Sequence, residues 1–308
     1  MQPTYETYDY HTHLNHQPDV RAFFHQPSFT WSYVVSDPAT KQCAIIDSVL
    51  DFDLPSGTLS HVSAHAIAEY VREHGLTVAW HLETHMHADH LSAATYLQEQ
   101  LGGKVAIGKH ITEVQQMYQD VFHVGAEELS EAQTAFDVLW DDFATFSIGT
   151  LPAFTFYAPG HTPADIVYGI GDALFVGDSL FMPDFGSARC DFPRGSAAAM
   201  YDSVQKILAL PEAMRMFMCH DYLPEGRSDY QYETTVGEQK AQNIHLKEGT
   251  PKEEFIARRE ARDKTLSLPV YMIPSLQVNV RAGRIPEEHG VPMLMLPVNS
   301  VFSNYTKD

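Results

Sequence analysis

Along the first half of the chain, apolar residues come in short runs bounded by Gly, Pro or Asp, and the period of the runs alternates between strand and helix. Residues 29–36 and 42–47 alternate or run apolar around Asp37-Pro38, which predicts an early hairpin. Residues 59–74 carry Ile67, Tyr70 and Val71 on one face and meet Gly75, the pattern of a helix and its stop. The apolar run 76–82 predicts a strand. Residues 88–101 place Leu91, Ala94 and Leu97 at helical spacing, and Gly102-Gly103 separates them from a strand at 105–108. A short helix is predicted at 111–118.

Beyond this point strand patterns crowd together, at 138–140, 144–148, 153–157, 166–170 and 173–176, before a helix at 196–210 and a strand at 215–219. Helix–strand alternation followed by a dense series of strands predicts the α/β class, with packed sheets and helices outside them rather than one uninterrupted parallel sheet. From about Tyr230 the texture changes. Residues 251–266 read as a charged helix, and the segment from Leu268 is rich in Pro, Asn and Val. The expected division is therefore a domain over 1–230, including an N-terminal extension, and a C-terminal helical and irregular extension over 231–308 that covers the core or joins a partner subunit. No internal repeat is visible.

Composition narrows the partners. A chain of 308 residues with 44% hydrophobic residues has enough material for a large core. Its 40 acidic against 20 basic residues give a formal charge of -20, which opposes phosphate backbones and anionic lipid, so neither nucleic acid nor a membrane surface is an expected partner. Residues 1–17 lack the basic and apolar regions of a signal peptide, and no apolar run is long enough for a membrane span. Cys43, Cys190 and Cys219 form neither an even disulfide set nor a Cys-x-x-Cys pair. A reducing, cytoplasmic setting is the expectation.

The chemistry is concentrated where the strand 76–82 ends. In Thr84-His85-Met86-His87-Ala88-Asp89-His90, the two histidines two apart in extended chain point the same way, and Asp89 and His90 occupy the turn that follows. Imidazoles with a carboxylate suit a borderline divalent metal. His161 after Gly160, Asp178 after Gly177, and His220 each lie just beyond an apolar strand, where binding residues gather on rigid scaffolds. A capping or core role competes for each residue alone; their joint occurrence favours a metal site.

The motif His85-x-His87-x-Asp89-His90 with Gly160-His161, Gly177-Asp178 and His220 resembles the metallo-beta-lactamase fold superfamily over roughly residues 29–230. The resemblance implies an alpha-beta-beta-alpha sandwich with metals at one edge of its two sheets. In dinuclear members, positions like His85, His87 and His161 hold one metal, those like Asp89, His90 and His220 the other, and Asp178 bridges them. Within the superfamily the chain is most similar to the persulfide dioxygenases and to a bacterial beta-lactamase hydrolase-like branch. The residues that carry this are 177–181, Ala188-Arg189-Cys190-Asp191-Phe192, His220-Asp221-Tyr222, and 235–240 with Asn243 and the helix containing Glu253, Glu254 and Phe255. That likeness implies one Fe(II) per chain on His85, His161 and Asp178, with open positions for substrate and O2. His87, Asp89, His90 and His220 would then stand around it. A thiol persulfide such as glutathione persulfide would be oxidised to sulfite and thiol, and a homodimer is the family expectation.

Candidates for a catalytic part are Asp89, beside the metal, and Arg189 and Tyr222, whose matching positions lie near that family's substrate channel. Arg189 suits a substrate carboxylate or an oxidised sulfur group, or else a structural pairing with Asp191. Cys190 reads either as packing or as a thiolate activated by Arg189. The run Gly160-His161-Thr162-Pro163-Ala164-Asp165 departs from the family, where Gly stands near Ala164 and Ser or Cys near Asp165, and this leaves the thiol carrier open. Two other readings stand beside the dioxygenase. One is a hydrolase with two Zn(II) or mixed metals acting on a thioester, lactone or phosphoester. The other is a metal-binding sensor or scaffold.

Overall fold

Both faces of the central strands are apolar, and the reason is visible in their packing. The computed structural model describes residues 3–298, so residues 299–308 of the expected C-terminal extension lie outside it. Its first half supplies β1 (Asp19–His25), β2 (Thr30–Ser36), β3 (Gln42–Ile46), β4 (Val49–Asp53), β5 (Thr58–Ser60), α1 (Val62–Glu73), β6 (Thr77–Leu82), β7 (Leu91–Ser92), α2 (Ala94–Leu101), β8 (Lys104–Gly108), α3 (Ile111–Phe122), α4 (Ala126–Gln133) and β9 (Val138–Trp140). Six of these strands form one sheet in the order β1-β2-β3-β6-β8-β9, while β5-β4-β7 form a small side sheet. The expected hairpin is the antiparallel pair β2 and β3, after which β3, β6, β8 and β9 run parallel.

The second half supplies β10 (Phe143–Ile148), β11 (Leu151–Tyr157), β12 (Ile166–Ile170), β13 (Ala173–Phe175), α5 (Ala197–Leu208), β14 (Arg215–Phe217), β15 (Glu233–Thr235) and α6 (Val236–Gln242). These six strands pair in chain order as a second sheet, antiparallel except where α5 links the parallel neighbours β13 and β14. Then follow α7 (Lys252–Asp263), α8 (Met272–Asn279) and the short hairpin β16 (Glu287–Glu288) and β17 (Val291–Pro292). No helix among the described residues is long and apolar enough to cross a membrane.

The sheets stack face to face. Ala44 and Ile46 of β3 point inward to meet Tyr168, Ile170, Phe175 and Phe217, while the alternate residues Cys43 and Ile45 point outward against Ile67, Val71 and Leu97 of α1 and α2. On the other flank Met200, Val204 and Phe255 of α5 and α7 cover Phe154, Val167, Leu174 and Met216. This is the alpha-beta-beta-alpha sandwich that the family resemblance implies. Burial on both faces explains why its strands read as near-continuous apolar runs.

Four elements differ from expectation. The helix expected over 59–74 begins at Val62, because residues 58–60 pair with β4 instead. The helix expected from 88 begins at Ala94: Leu91 and Ser92 pair with Leu50 and Val49, and Ala93 N–H donates to the Ser48 carbonyl. Residues 88–93 carry helical spacing in apolar pattern only. After position 230, β15 pairs with β14 inside the second sheet, so the expected domain limit falls between two bonded strands. The segment read as irregular contains α8, with Pro274 at the third helical residue, where its missing N–H costs nothing.

Candidate metal centre

Four chain segments bring the ligand-type side chains to one edge of the sandwich: the loop after β6, the β11–β12 turn, and the loops after β13 and β14. The two sheets are stitched together there. Ile166 N–H donates to the Thr84 carbonyl at 2.9 Å, Trp31 N–H to the Cys219 carbonyl at 2.7 Å and Asp221 N–H to the Phe29 carbonyl at 3.1 Å. Two glycines permit the approach. Gly177 has φ +52°, and a Cβ there would sit 2.7 Å from Thr84 Oγ1; a Cβ on Gly160 would sit 2.5 Å from the Met200 backbone.

His85, His161 and Asp178 each place a ligand atom within 4.8 Å of the others, and all three are buried. The same spacing joins His87, Asp89 and His90. His220 lies between the two groups, its Nε2 3.4 Å from both Asp89 Oδ2 and Asp178 Oδ1. His161 Nε2 lies 3.6 Å from Asp178 Oδ2. All seven residues singled out in the sequence are thus in one cluster.

The outward hydrogen bonds fix which ring atoms face inward. Thr84 Oγ1 donates its only proton to Asp47 Oδ2 at 2.8 Å, so it accepts from His85 Nδ1 at 3.0 Å and leaves the Nε2 lone pair free. His161 Nδ1 donates to the Arg189 carbonyl at 2.8 Å. His87 Nε2 donates to Asp47 Oδ1 at 3.0 Å and stands 3.3 Å from Glu83 Oε2. The atoms turned to the centre, His85 Nε2, His87 Nδ1, His90 Nε2, His220 Nε2, Asp89 Oδ2 and Asp178 Oδ1, are buried without a hydrogen-bond partner. Buried polar atoms are normally satisfied. A cation would supply what these six atoms lack, and the donor set of imidazoles and carboxylates fits a divalent metal.

Protonation agrees with that role at His85 and His90, whereas at His87 burial is outweighed by the carboxylates of Asp47 and Glu83, which hold it well above its ordinary pKa. Burial and the neighbouring imidazoles of His87 and His161 hold His85 well below its ordinary pKa, and burial with His87 brings His90 down to about 4. Both are therefore neutral ligands at pH 7. For Asp89 burial opposes the charge, but His220 and His90 outweigh it and hold the carboxyl below the usual range.

Asp47, Glu83 and Asn279 are not among the site residues singled out in the sequence. Asp47 follows the apolar run of β3 just as Asp178 follows β13, so the strand-end rule that found one applied to both. Glu83 Oε1 accepts from Ser92 Oγ at 2.8 Å. Asn279, at the end of α8, gave no local signal at all.

The outer candidates fall out unevenly. The Arg189 guanidinium is engaged by Asp191 through Nε at 2.6 Å and a terminal nitrogen at 2.8 Å, and donates to the Ser267 carbonyl at 2.6 Å. That is the structural pairing, and the backbone carbonyl of Arg189 is what touches a metal-type ligand. Cys190 lies in the core beneath α5 and α7, where burial and Asp263 push its thiol well up, the reverse of an activated thiolate. Tyr222 is 38% exposed and stacks on His220 at 5.7 Å, with Phe181 and Phe185 edging its ring. Desolvation, Asp89 and Asp178 raise its phenol well above the ordinary value, so it remains a hydrogen-bond donor at the mouth of the centre.

Comparison with known proteins agrees with the geometry. The model of the metallo-beta-lactamase superfamily matches residues 25–220. A probable metallo-hydrolase of Burkholderia pseudomallei is 45% identical over 92% of this chain and 99% of its own. A beta-lactamase hydrolase-like protein of Agrobacterium fabrum is 49% identical over 88% of this chain, which spans only 62% of that protein's length. The mitochondrial persulfide dioxygenase ETHE1 of Mus musculus is 28% identical over 66% of this chain and 68% of its own. The crystal structure of ETHE1 from Myxococcus xanthus superposes with a TM-score of 0.69 at 28% identity, covering 86% of this chain and all of that one.

Proposed function

Since this chain belongs to the metallo-beta-lactamase superfamily, we propose that it is an iron-dependent dioxygenase of a low-molecular-weight persulfide, holding one Fe(II) on His85, His161 and Asp178. The observation that carries this reading is the buried, compact set of two imidazoles and one carboxylate, together with the likeness to ETHE1 across that protein's whole solved structure. Two histidines and a carboxylate with open positions form the site type of non-haem iron oxygenases. Iron bound there would supply the one-electron chemistry that lets O2 react with a persulfide. In balance, persulfide, O2 and water yield thiol and sulfite with release of two protons; the sulfane sulfur loses four electrons and O2 gains them.

The protein's own part is positioning. His161 is held by the Arg189 carbonyl and His85 by Thr84, so neither ring turns away when ligands exchange. Tyr222, with Phe29, Phe181 and Phe185 around it, forms an aromatic wall at the open side, and its hydroxyl is the available donor for a substrate or sulfur oxyanion. The carrier thiol, glutathione or another, is set by that wall and by the loops outside it.

A dinuclear hydrolase is the second reading, favoured by a specific observation. His87, Asp89 and His90 form a second compact set and, with His220, carry orphaned inward atoms of their own. Two relatives at 45% and 49% identity bear hydrolase names. Metal content of protein purified without added metal, paired with oxygen uptake on glutathione persulfide, separates the two. About one iron per active chain and persulfide-dependent uptake is the expected result; two zinc ions, no uptake and rapid thioester or lactone hydrolysis would overturn it.

A further inference from the structure

The loop that carries the histidines is held from below by a helix that lies outside the matched family region. Residues 25–220 match the superfamily model, yet the backbone of the ligand loop is bonded to a side chain near the other end of the chain. Asn279 Nδ2 donates to the carbonyls of both His87 and His90 at 2.8 Å, and Asn279 Oδ1 accepts from Ser92 N–H at 2.8 Å. One amide thus satisfies three backbone groups of a non-helical turn. Asn279 is only 4% exposed, so water does not replace it readily.

The attachment extends on both sides of that residue. Met86 and Ala88, which alternate with the ligands along the loop, pack in one apolar cluster with Met272, Leu276 and Val280. Thr95 donates from both N–H and Oγ1 to the Ala282 carbonyl, at 3.1 and 2.7 Å. Gly283 (φ +92°) then passes so close that a Cβ would sit 2.4 Å from the Ser92 carbonyl oxygen. The ligand side chains face the centre, and behind them residues 272–283 bond the loop backbone and join its apolar cluster, beside the pairing of Leu91 and Ser92 with β4.

We propose that Asn279 is a positioning residue of the metal centre, and that α8 with the turn after it acts as a brace that presets the ligand loop for metal. The inference rests on the metal-centre reading but not on which metal or reaction is the true one. Loss of the two carbonyl bonds lets the 87–90 turn relax and move His87, Asp89 and His90 against His85. Supporting groups behind metal ligands contribute about 10–100-fold in affinity, and a loss of that size is expected here.

The test uses chelator-stripped full-length protein titrated with Fe(II) under anaerobic conditions and, separately, with Zn(II). Asn279→Leu fills the space without donors and Asn279→Ala removes the group. Gln277→Ala is the control, since Gln277 lies on the same helix but bonds Ile273 and Met295 rather than the loop. Weaker binding of both metals in the Asn279 variants, with Gln277→Ala binding as the parent at an equal or larger loss of thermal stability, supports the proposal. Parent-like affinity in an Asn279 variant, or an equal loss in Gln277→Ala, overturns it. Hydrogen exchange on the unaltered protein gives a readout that needs no variant: added metal is expected to protect residues 272–283 together with 83–93, and protection confined to 83–93 overturns the brace. None of these readings depends on oxygen uptake, so a failure of the dioxygenase proposal leaves a distinct signature.

Discussion

Asp47 accepts from Thr84 N–H, Thr84 Oγ1 and His87 Nε2 at once, so one buried carboxylate fixes the His87 tautomer directly and the His85 tautomer through the Thr84 hydroxyl. An amide in its place presents a donor where two donors already point. Asp47→Asn is expected to weaken metal retention about 10–100-fold while leaving the fold intact, measured as metal content after dialysis against a chelator beside the circular dichroism spectrum. Unchanged metal content would show that the loop backbone alone fixes the rings. The ligands themselves were legible in the sequence because imidazole and carboxylate at His-x-His-x-Asp-His spacing have few other uses. Asp47 was not, since an acidic residue after a strand is common and this one gains its role only when β3 and β6 lie side by side. For Arg189 the sequence left two readings, a substrate anion or a pairing with Asp191, and the carboxylate two residues on engages it.

At the scale of elements, the site depends on helices the strand pattern did not require. In α7, Arg259 pairs with Asp263, and Asp263 Oδ2 accepts from Cys190 N–H at 2.9 Å, which sets the carbonyl of the preceding Arg189 under His161. The anchor of α7 is Phe255, fully buried against Tyr201 and the α5 face. Truncation there removes packing from beneath that carbonyl: Phe255→Ala is expected to cost about 3–5 kcal/mol in denaturant unfolding. A cost below about 1 kcal/mol would mean that α7 is peripheral. The charged face of α7 and its opening Pro251 were readable. The helix expected from residue 88 was not readable correctly, because its first turn is claimed by pairing with β4, a strand that is neighbour only in space.

Across the whole molecule, acid is the condition that strains this fold. His81 Nε2 donates to the Gly102 carbonyl while Nδ1 is buried without a partner, and burial lowers its pKa from 6.5 to about 4. Burial and the arginines of α7 bring His245 to about 4 as well. Both bases have a folded pKa below the unfolded one, so their contribution is complete above pH 6.5 and is lost as pH falls toward 4. The metal-free protein is therefore expected to lose thermal stability progressively between pH 6.5 and 4, and His81→Gln to flatten that slope; a melting temperature constant over this window would contradict it. The sequence by itself determined packed sheets with helices outside them and the seven ligand-type side chains, because strand periodicity, glycine breaks and ligand types are local properties of the chain, while the sandwich and its metal-bearing edge followed from the family resemblance those residues carry. What holds those side chains was decided only by tertiary structure: Asp47 beneath His87, Asp263 behind His161 and Asn279 under the ligand loop act across 40, 102 and 192 positions of sequence or nearly so. A supporting hydrogen bond leaves no periodicity, and its partner is fixed by where the chain returns.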